Sequence, residues 1–342
     1  VSRVLRAGGL SLRWEPRAAA ICLVLAGAAL AAAVVVVGTG DVPITVGEVL
    51  QALTGQGHPG TEFIVTTLRL PRAVTGALAG LALGMSGAIF QSMSRNPLGS
   101  PDLIGFSTGS ATGALVQILV LGGGAAAVAA GSVAGAVLTA LAVYAVAYRR
   151  GHGVHGMRLV LVGVAAAAML EALNAYLITR AELREAYEAA FWLTGSLNNR
   201  GWDHARPLAL AVLVLVPLAL ASGRALRMGE LGDDAAQALG VPVQRSRAVL
   251  VVAGVGLCAA ATAAAGPVPF VALAAPQLAR RLTRRTGPQL LPAAAMGAAL
   301  LVCADLVSLK LPVPVPVGVV TGVLGGVYLA WLLAAEARRG RA

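Results

Sequence analysis

Apolar runs recur along this chain almost to its C-terminus, and most are as long as a bilayer is thick. A hydrocarbon core takes roughly 20 apolar helical residues, and runs of that kind fall near 18 to 38, 72 to 93, 103 to 121, 125 to 147, 157 to 178, 206 to 226, 247 to 266, 268 to 279, 288 to 308 and 317 to 334. They predict an all-α integral membrane protein with ten transmembrane helices in one domain over 1–342. The segment 1–17 would precede the first helix inside the cell, and 228–242 would form a cytoplasmic loop between the sixth and seventh. The seventh and eighth runs belong to one apolar stretch, 248 to 279, which is too long for one span and short for two.

Charge resolves that stretch. Arg245 and Arg247 precede it, and Arg280, Arg281, Arg284 and Arg285 follow it, so the positive-inside rule places both ends in the cytoplasm. The chain then goes out and returns, turning near Gly266-Pro267. With ten helices and both termini inside, nineteen basic residues fall on inner segments and seven outside: Arg69, Arg72, Arg180, Arg184, Arg200, Arg206 and Lys310. The acids Asp41, Glu48, Glu62, Glu182, Glu185, Glu188 and Asp203 all lie outside. The first run, preceded by Arg3, Arg6, Arg13 and Arg17, is longer than a signal-peptide core and reads as a retained helix.

Composition removes other classes. The chain is 58% hydrophobic, far more than a soluble core of 342 residues requires. Its net charge of +11 comes from 25 Arg and one Lys scattered between apolar runs, without a basic face of interleaved aromatics, so nucleic acid is not an expected partner. No GxxxxGK[ST] or HExxH occurs, so the chain is not expected to carry an ATPase site of its own. Cys22, Cys258 and Cys303 lie in apolar segments without ligand spacing. His58, His152, His155 and His204 fall in loops; His152 and His155 read as a solvated basic loop, and no metal site is expected.

Five features carry chemistry. Gly76, Gly80, Gly84 and Gly87 bare one stripe of the second helix, suited to close helix packing or to lining a path for something bulky. The stretch LRLPR sets Arg69 and Arg72 three apart on an external face, suited to lipid headgroups, local carboxylates or an acidic partner. In QSMSRNPLGSPDLIG, Gln91, Asn96 and Pro97 mark a helix break near the cytoplasm that is either plain capping, with Asp102 capping the next helix, or a gate. Glu171, with Asn174 one turn on, and Asp305 place ionisable groups within spans, where charge costs ~2.5 to 3.5 kcal/mol. Finally, LGDDAAQALGVP holds Asp234 and Gln237 at capping-box spacing and a Gly240-Val241-Pro242 stop. The helix between them is too short to stand alone, so it rests either on its own protein or in a groove of a soluble ATPase.

Taken in order, RLPR, GAIFQSMSRNPLGSPDLIGFSTGSATGA, FWLTGSLNNRGWD, LGDDAAQALGV, GPVPFVALAAPQLARRL and PVPVGVVTGVLGG resemble the permease subunit of ABC importers for iron-siderophores, haem and vitamin B12, the FecCD family. The resemblance spans about 62 to 334. It implies a ten-helix subunit in the cell membrane that pairs with a second permease, identical or paralogous, around a translocation path. Two ATP-binding subunits would lie inside and a substrate-binding protein outside, with ATP and Mg on the ATPases and no cofactor on this chain. It assigns ATPase coupling to Gly232, Asp233, Asp234, Gln237, Leu239 and Gly240, and binding-protein docking to Arg69 and Arg72, with Lys310 as a replacement third contact. Gly80, Gly84, Gln91, Asn96, Pro97, Glu171 and Asn174 are pathway or gate candidates. The segment Phe191 to Asp203 favours a ferric siderophore as cargo over vitamin B12 or haem. Gln277 stands where the family often has His, and Ala272 where it often has Gly. A rival from another class is an ion-driven transporter using Glu171 and Asp305.

Overall fold

The computed structural model describes residues 3–7, 10–40, 42–148, 156–313 and 315–339, so His152, His155 and Asp41 lie outside the described residues. An antiparallel hairpin, β1 (Arg3–Ala7) and β2 (Leu10–Trp14), precedes α1 (Pro16–Gly38). There follow α2 (Val46–Leu53), α3 (Pro59–Phe63), a π turn (Ile64–Arg69), α4 (Leu70–Ser94), α5 (Phe106–Leu119), α6 (Ala125–Ala147), α7 (Gly156–Arg180) and α8 (Leu183–Leu193). The remainder is α9 (Trp202–Ala221), α10 (Gly223–Gly229), α11 (Asp233–Ala238), α12 (Val243–Ala265), α13 (Val271–Thr283), α14 (Leu290–Lys310) and α15 (Val317–Arg339). Apart from the hairpin, the described architecture is helical.

Among the described residues, seven helices are long and apolar enough to cross a membrane: α1, α4 with the turns before it, α6, α7, α9, α12 and α14. The expected run at 103 to 121 becomes a shorter helix, α5 with 14 residues, that at 268 to 279 becomes α13 with 13, and the apolar part of α15 ends at Trp331. The long apolar stretch breaks where the sequence suggested. Gly266 takes φ +74 as the cap of α12, and Phe270 takes φ +66 before α13 starts. The span pattern did not anticipate α2, α3 or α8. The first of these is fixed by a capping box, in which the Glu48 carboxylate accepts the Thr45 N–H at 2.8 Å; that bond holds the exposed carboxyl below its usual pKa.

Helix α4 is the centre of the packing, buried from Pro71 to Ser94 on most faces and lying against α14, α12, α13 and α9. Its glycine stripe explains how it fits. A Cβ at Gly80 would overlap the Gly297 carbonyl, one at Gly84 the Ala293 carbonyl, and one at Gly87 the Ala272 carbonyl. These helices therefore meet backbone to backbone, which supplies dispersion contact where apolar lipid gives helices no hydrophobic reason to associate. The same device joins α5 to α6, where Gly113 and Gly135 face the carbonyls of Gly131 and Gly109, and the Ser110 and Ser132 hydroxyls bond at 2.7 Å. At the start of α1, Glu15 pairs with Arg285 and Arg17 donates to the Leu282 carbonyl at 3.0 Å, tying α1 to the turn between α13 and α14.

Replacing Gly84 by Leu is expected to lower stability by at least ~1 to 3 kcal/mol through overpacking. The same change at Gly27, whose Cβ position meets no atom within 4 Å, should be tolerated. Thermal unfolding of the detergent-solubilised variants checks this: a lower melting temperature for Gly84→Leu alone is the expected result.

Candidate functional site

The short segment after α10 is built to show two faces. Gly232 enters α11 at φ +112 and no side chain caps the helix, so the expected capping box of Asp234 and Gln237 does not form. A glycine in that conformation already turns the chain, and both side chains stay outside, exposed. The stop is as expected: Gly240, at φ +80, donates to the Gln237 carbonyl at 2.8 Å and Val241 to Ala236 at 3.0 Å. Ala236 is buried beneath the helix, whereas Asp234, Ala235, Gln237, Ala238 and Leu239 face outward, Leu239 being 62% exposed. Asp233 turns inward. Its Oδ1 accepts from Arg247 at 2.9 Å and from Arg95 at 3.2 Å, and its Oδ2 from Arg247 at 3.1 Å.

Beside this segment a cavity of about 480 Å³ opens between the end of α4, Glu230 and α13. Gln91 is buried in its wall, donating to the Leu273 carbonyl at 2.9 Å and accepting from Arg280 at 2.6 Å. Arg95 ends α4 at φ +52, and the Asn96 side chain accepts the Leu98 N–H at 2.9 Å to make the turn the sequence foretold. Gln277 donates to the Pro97 carbonyl at 2.9 Å and accepts from Tyr328 at 3.3 Å. Arg281 lies 4.6 Å over the Trp331 ring. Burial raises the Glu230 carboxyl above its usual range, against the pull of Arg280 and Arg227. The gate candidates Gln91, Asn96 and Pro97 thus sit in one hydrogen-bonded layer joining α4, α13 and α15.

A second cavity, about 620 Å³, lies where α5, α7 and the break before α13 meet. Glu171 and Asn174 both line it, with Asp102, Ser107, Thr108 and Phe270. Glu171 is exposed, whereas Asn174 is 7% exposed and its Oδ1 has no partner. Asp102 does not cap α5, whose N-cap is Gly105; its carboxylate instead accepts the Ser107 hydroxyl at 2.5 Å. Gly80 and Gly84 lie against α14 and line neither cavity.

At the opposite end of α4, the two arginines of LRLPR line one cavity of about 470 Å³, and each guanidinium is also held by the protein itself. Arg69 donates to the carbonyls of Val37 and Val42 at 3.0 and 2.7 Å. Arg72 reaches across to α14 and holds Asp305 with two bonds of 3.1 and 2.7 Å. Asp305 is 1% exposed and so is the countercharge of Arg72. Sequence reasoning singled out both residues but did not pair them; the signal was there, since a carboxylate in an apolar span needs a cation within reach. Lys310 stands exposed at the end of α14. Among the described residues no cluster of His, Cys, Asp or Glu could hold a metal ion.

Seven long apolar helices among the described residues, with shorter ones packed between them, define a multi-pass membrane protein. The chain belongs to the FecCD transport family, whose profile matches residues 23–335. It is 42% identical over 320 residues to the ferric enterobactin transport system permease protein FepG of Escherichia coli (strain K12), covering 93% of this chain and 96% of that one. It is 35% identical over 331 residues to the Fe(3+)-citrate import system permease protein YfmE of Bacillus subtilis (strain 168), covering 96% and 98%. Its fold matches that of a metal-chelate type ABC transporter solved in an inward-facing conformation, with TM-score 0.81, 24% identity and coverage of 93% and 99%.

Breaking the Arg72–Asp305 pair from one side leaves a buried charge alone, so Arg72→Met is expected to destabilise by roughly 3 to 5 kcal/mol. Adding Asp305→Leu should recover most of that loss. Unfolding midpoints of the single and double variants measure the difference, and equal losses in both would show that the pair is not what holds these helices.

Proposed function

We propose that this chain is the permease subunit of an ABC importer that carries a ferric siderophore across the cytoplasmic membrane, driven by ATP hydrolysis on partner chains. The observation that carries this is the two-faced α11, packed inward through Ala236 and Asp233 and outward-facing at Asp234, Gln237 and Leu239. In this reading α5, α13 and α15 join the seven long helices to make ten spans, with both termini and α11 in the cytoplasm, in accord with the arginine distribution. The outward face of α11, between Gly232 and Gly240, seats in a groove on one of two ATPase subunits, which hold ATP and Mg.

A second permease, identical or paralogous, closes the cavity of Glu171 and Asn174 into a path across the membrane. Gln91, Asn96 and Pro97 gate its inner side. A substrate-binding protein docks at the other end through Lys310 and through Arg69 and Arg72, whose guanidinium groups are already oriented by carbonyls and by Asp305. Ferric iron in the names of both relatives favours a ferric chelate over vitamin B12 or haem. An ion-driven mechanism has less support, because the Asp305 carboxylate it needs is neutralised by Arg72.

The test is uptake of ferric chelate by proteoliposomes holding this chain, its second permease, its ATPase and its binding protein. ATP-dependent uptake is expected for the wild type. With Leu239→Glu, which places a charge in the seat of an exposed apolar side chain, uptake should fall by roughly tenfold or more. Uptake that ignores ATP but collapses with a protonophore would refute the reading.

A further inference from the structure

Two neighbouring aspartates occupy the start of α11, and the helix sends them opposite ways. One residue rotates a side chain by about 100° around a helix, enough to put Asp234 in solvent while Asp233 points into the protein. The Asp233 side chain is 15% exposed and that of Arg247 7%. An ion pair shielded to this degree, with both carboxylate oxygens engaged, is far less screened than one on the surface. The third member, Arg95, is half exposed and comes from a different helix.

The placement of the two arginines gives the cluster its meaning. Arg247 belongs to the first turns of α12. Arg95 is the C-cap of α4, held at φ +52, so its backbone is locked to the end of that helix through bonds to the Gln91 and Ser92 carbonyls. Helix α4 itself cannot flex independently of its neighbours, since its glycine stripe presses backbone on backbone against α14 and α13. The Asp233 carboxylate therefore links α11 to both α4 and α12. Beside this, α11 buries Ala236 and lies against α10 and α12.

We infer that Asp233 is a positioning residue for transport: it does not contact the ATPase but clamps α11 to Arg95 of α4 and Arg247 of α12, so that movement of the short helix is passed to both. This rests on the coupling role proposed for α11 and divides its residues into two groups. Asp234, Gln237 and Leu239 bind the partner, and Asp233 transmits what the partner does. Without the carboxylate the ATPase remains seated while the two membrane helices no longer follow it.

The experiment uses the assembled complex in proteoliposomes and reads three quantities: ATPase retained on purification, ATP hydrolysed, and ferric chelate taken up. For Asp233→Asn the ATPase should co-purify as with wild type, while chelate transported per ATP falls roughly tenfold, within the usual range of coupling energies between sites. Asp233→Glu, which keeps the charge, should retain most of that ratio, and Asp233→Arg combined with Arg247→Asp should recover part of what Asp233→Arg alone loses. If Asp233→Asn fails to fold, Arg95→Gln, which alters a half-exposed partner, carries the same expectation. A wild-type ratio in both Asp233→Asn and Arg95→Gln overturns the relay, as does loss of ATPase binding in Asp233→Asn equal to that of Leu239→Glu. Should wild type itself retain no ATPase, the coupling role of α11 falls, and the relay with it.

Discussion

The structure depends on one contact: the bare backbone of α4 lying on the backbones of α14 and α13. In lipid, helices gain nothing by hiding apolar surface from each other, and close packing must supply the attraction instead. Carbonyls at Gly297, Ala293 and Ala272 occupy the space that side chains would take on α4. Such a joint leaves little room for independent bending, so α4 behaves as a stiff member running from the Arg72–Asp305 pair at one end to Arg95 at the other. That stiffness is what makes events at its two ends relevant to each other.

Around this member the backbone is broken where the cavities lie. The turns between Arg95 and Gly105 and between Gly266 and Phe270 leave peptide groups outside any helix, which a membrane protein tolerates only where protein or a polar cavity surrounds them. They shorten α5 and α13, and they bring Asp102, Ser107 and Phe270 to the same wall as Glu171 and Asn174. One irregularity thus produces both the short helices and the cavity beside them.

What the sequence made legible was whatever is decided locally or by counting. Run lengths and arginine placement located the long helices, the glycine and proline at 266 and 267 located the break, and Gly240 located the end of α11. The glycine stripe was recognised as a packing surface, but not the carbonyls it meets. What failed depended on distant partners. Asp234 and Gln237 had capping-box spacing, yet the helix starts from Gly232, which leaves Asp234 at the second helical position, where it caps nothing. Arg69 and Arg72 do line one cavity, but the carbonyls of Val37 and Val42 and the carboxylate of Asp305 that hold them come from other segments. Asp305 and Arg72 are 233 residues apart, and Asp233 and Arg95 are 138 apart, so nothing in local pattern pairs them. The amphipathic helices α2 and α8 were missed because they contribute no apolar run of spanning length.

The two ends of the molecule use the same chemistry for different purposes. At one, a guanidinium and a buried carboxylate hold α4 to α14. At the other, two guanidinium groups share a carboxylate on a helix with too few contacts to be fixed by packing alone, and the opposite face of that helix is free for a partner. The most direct measurement is photo-crosslinking from Ala238, on the outward face of α11, in the complete assembly within native membranes. The expected adduct is with a nucleotide-hydrolysing subunit; an adduct with the extracytoplasmic binding protein, or with neither, would contradict the placement of α11 as the seat of the ATPase.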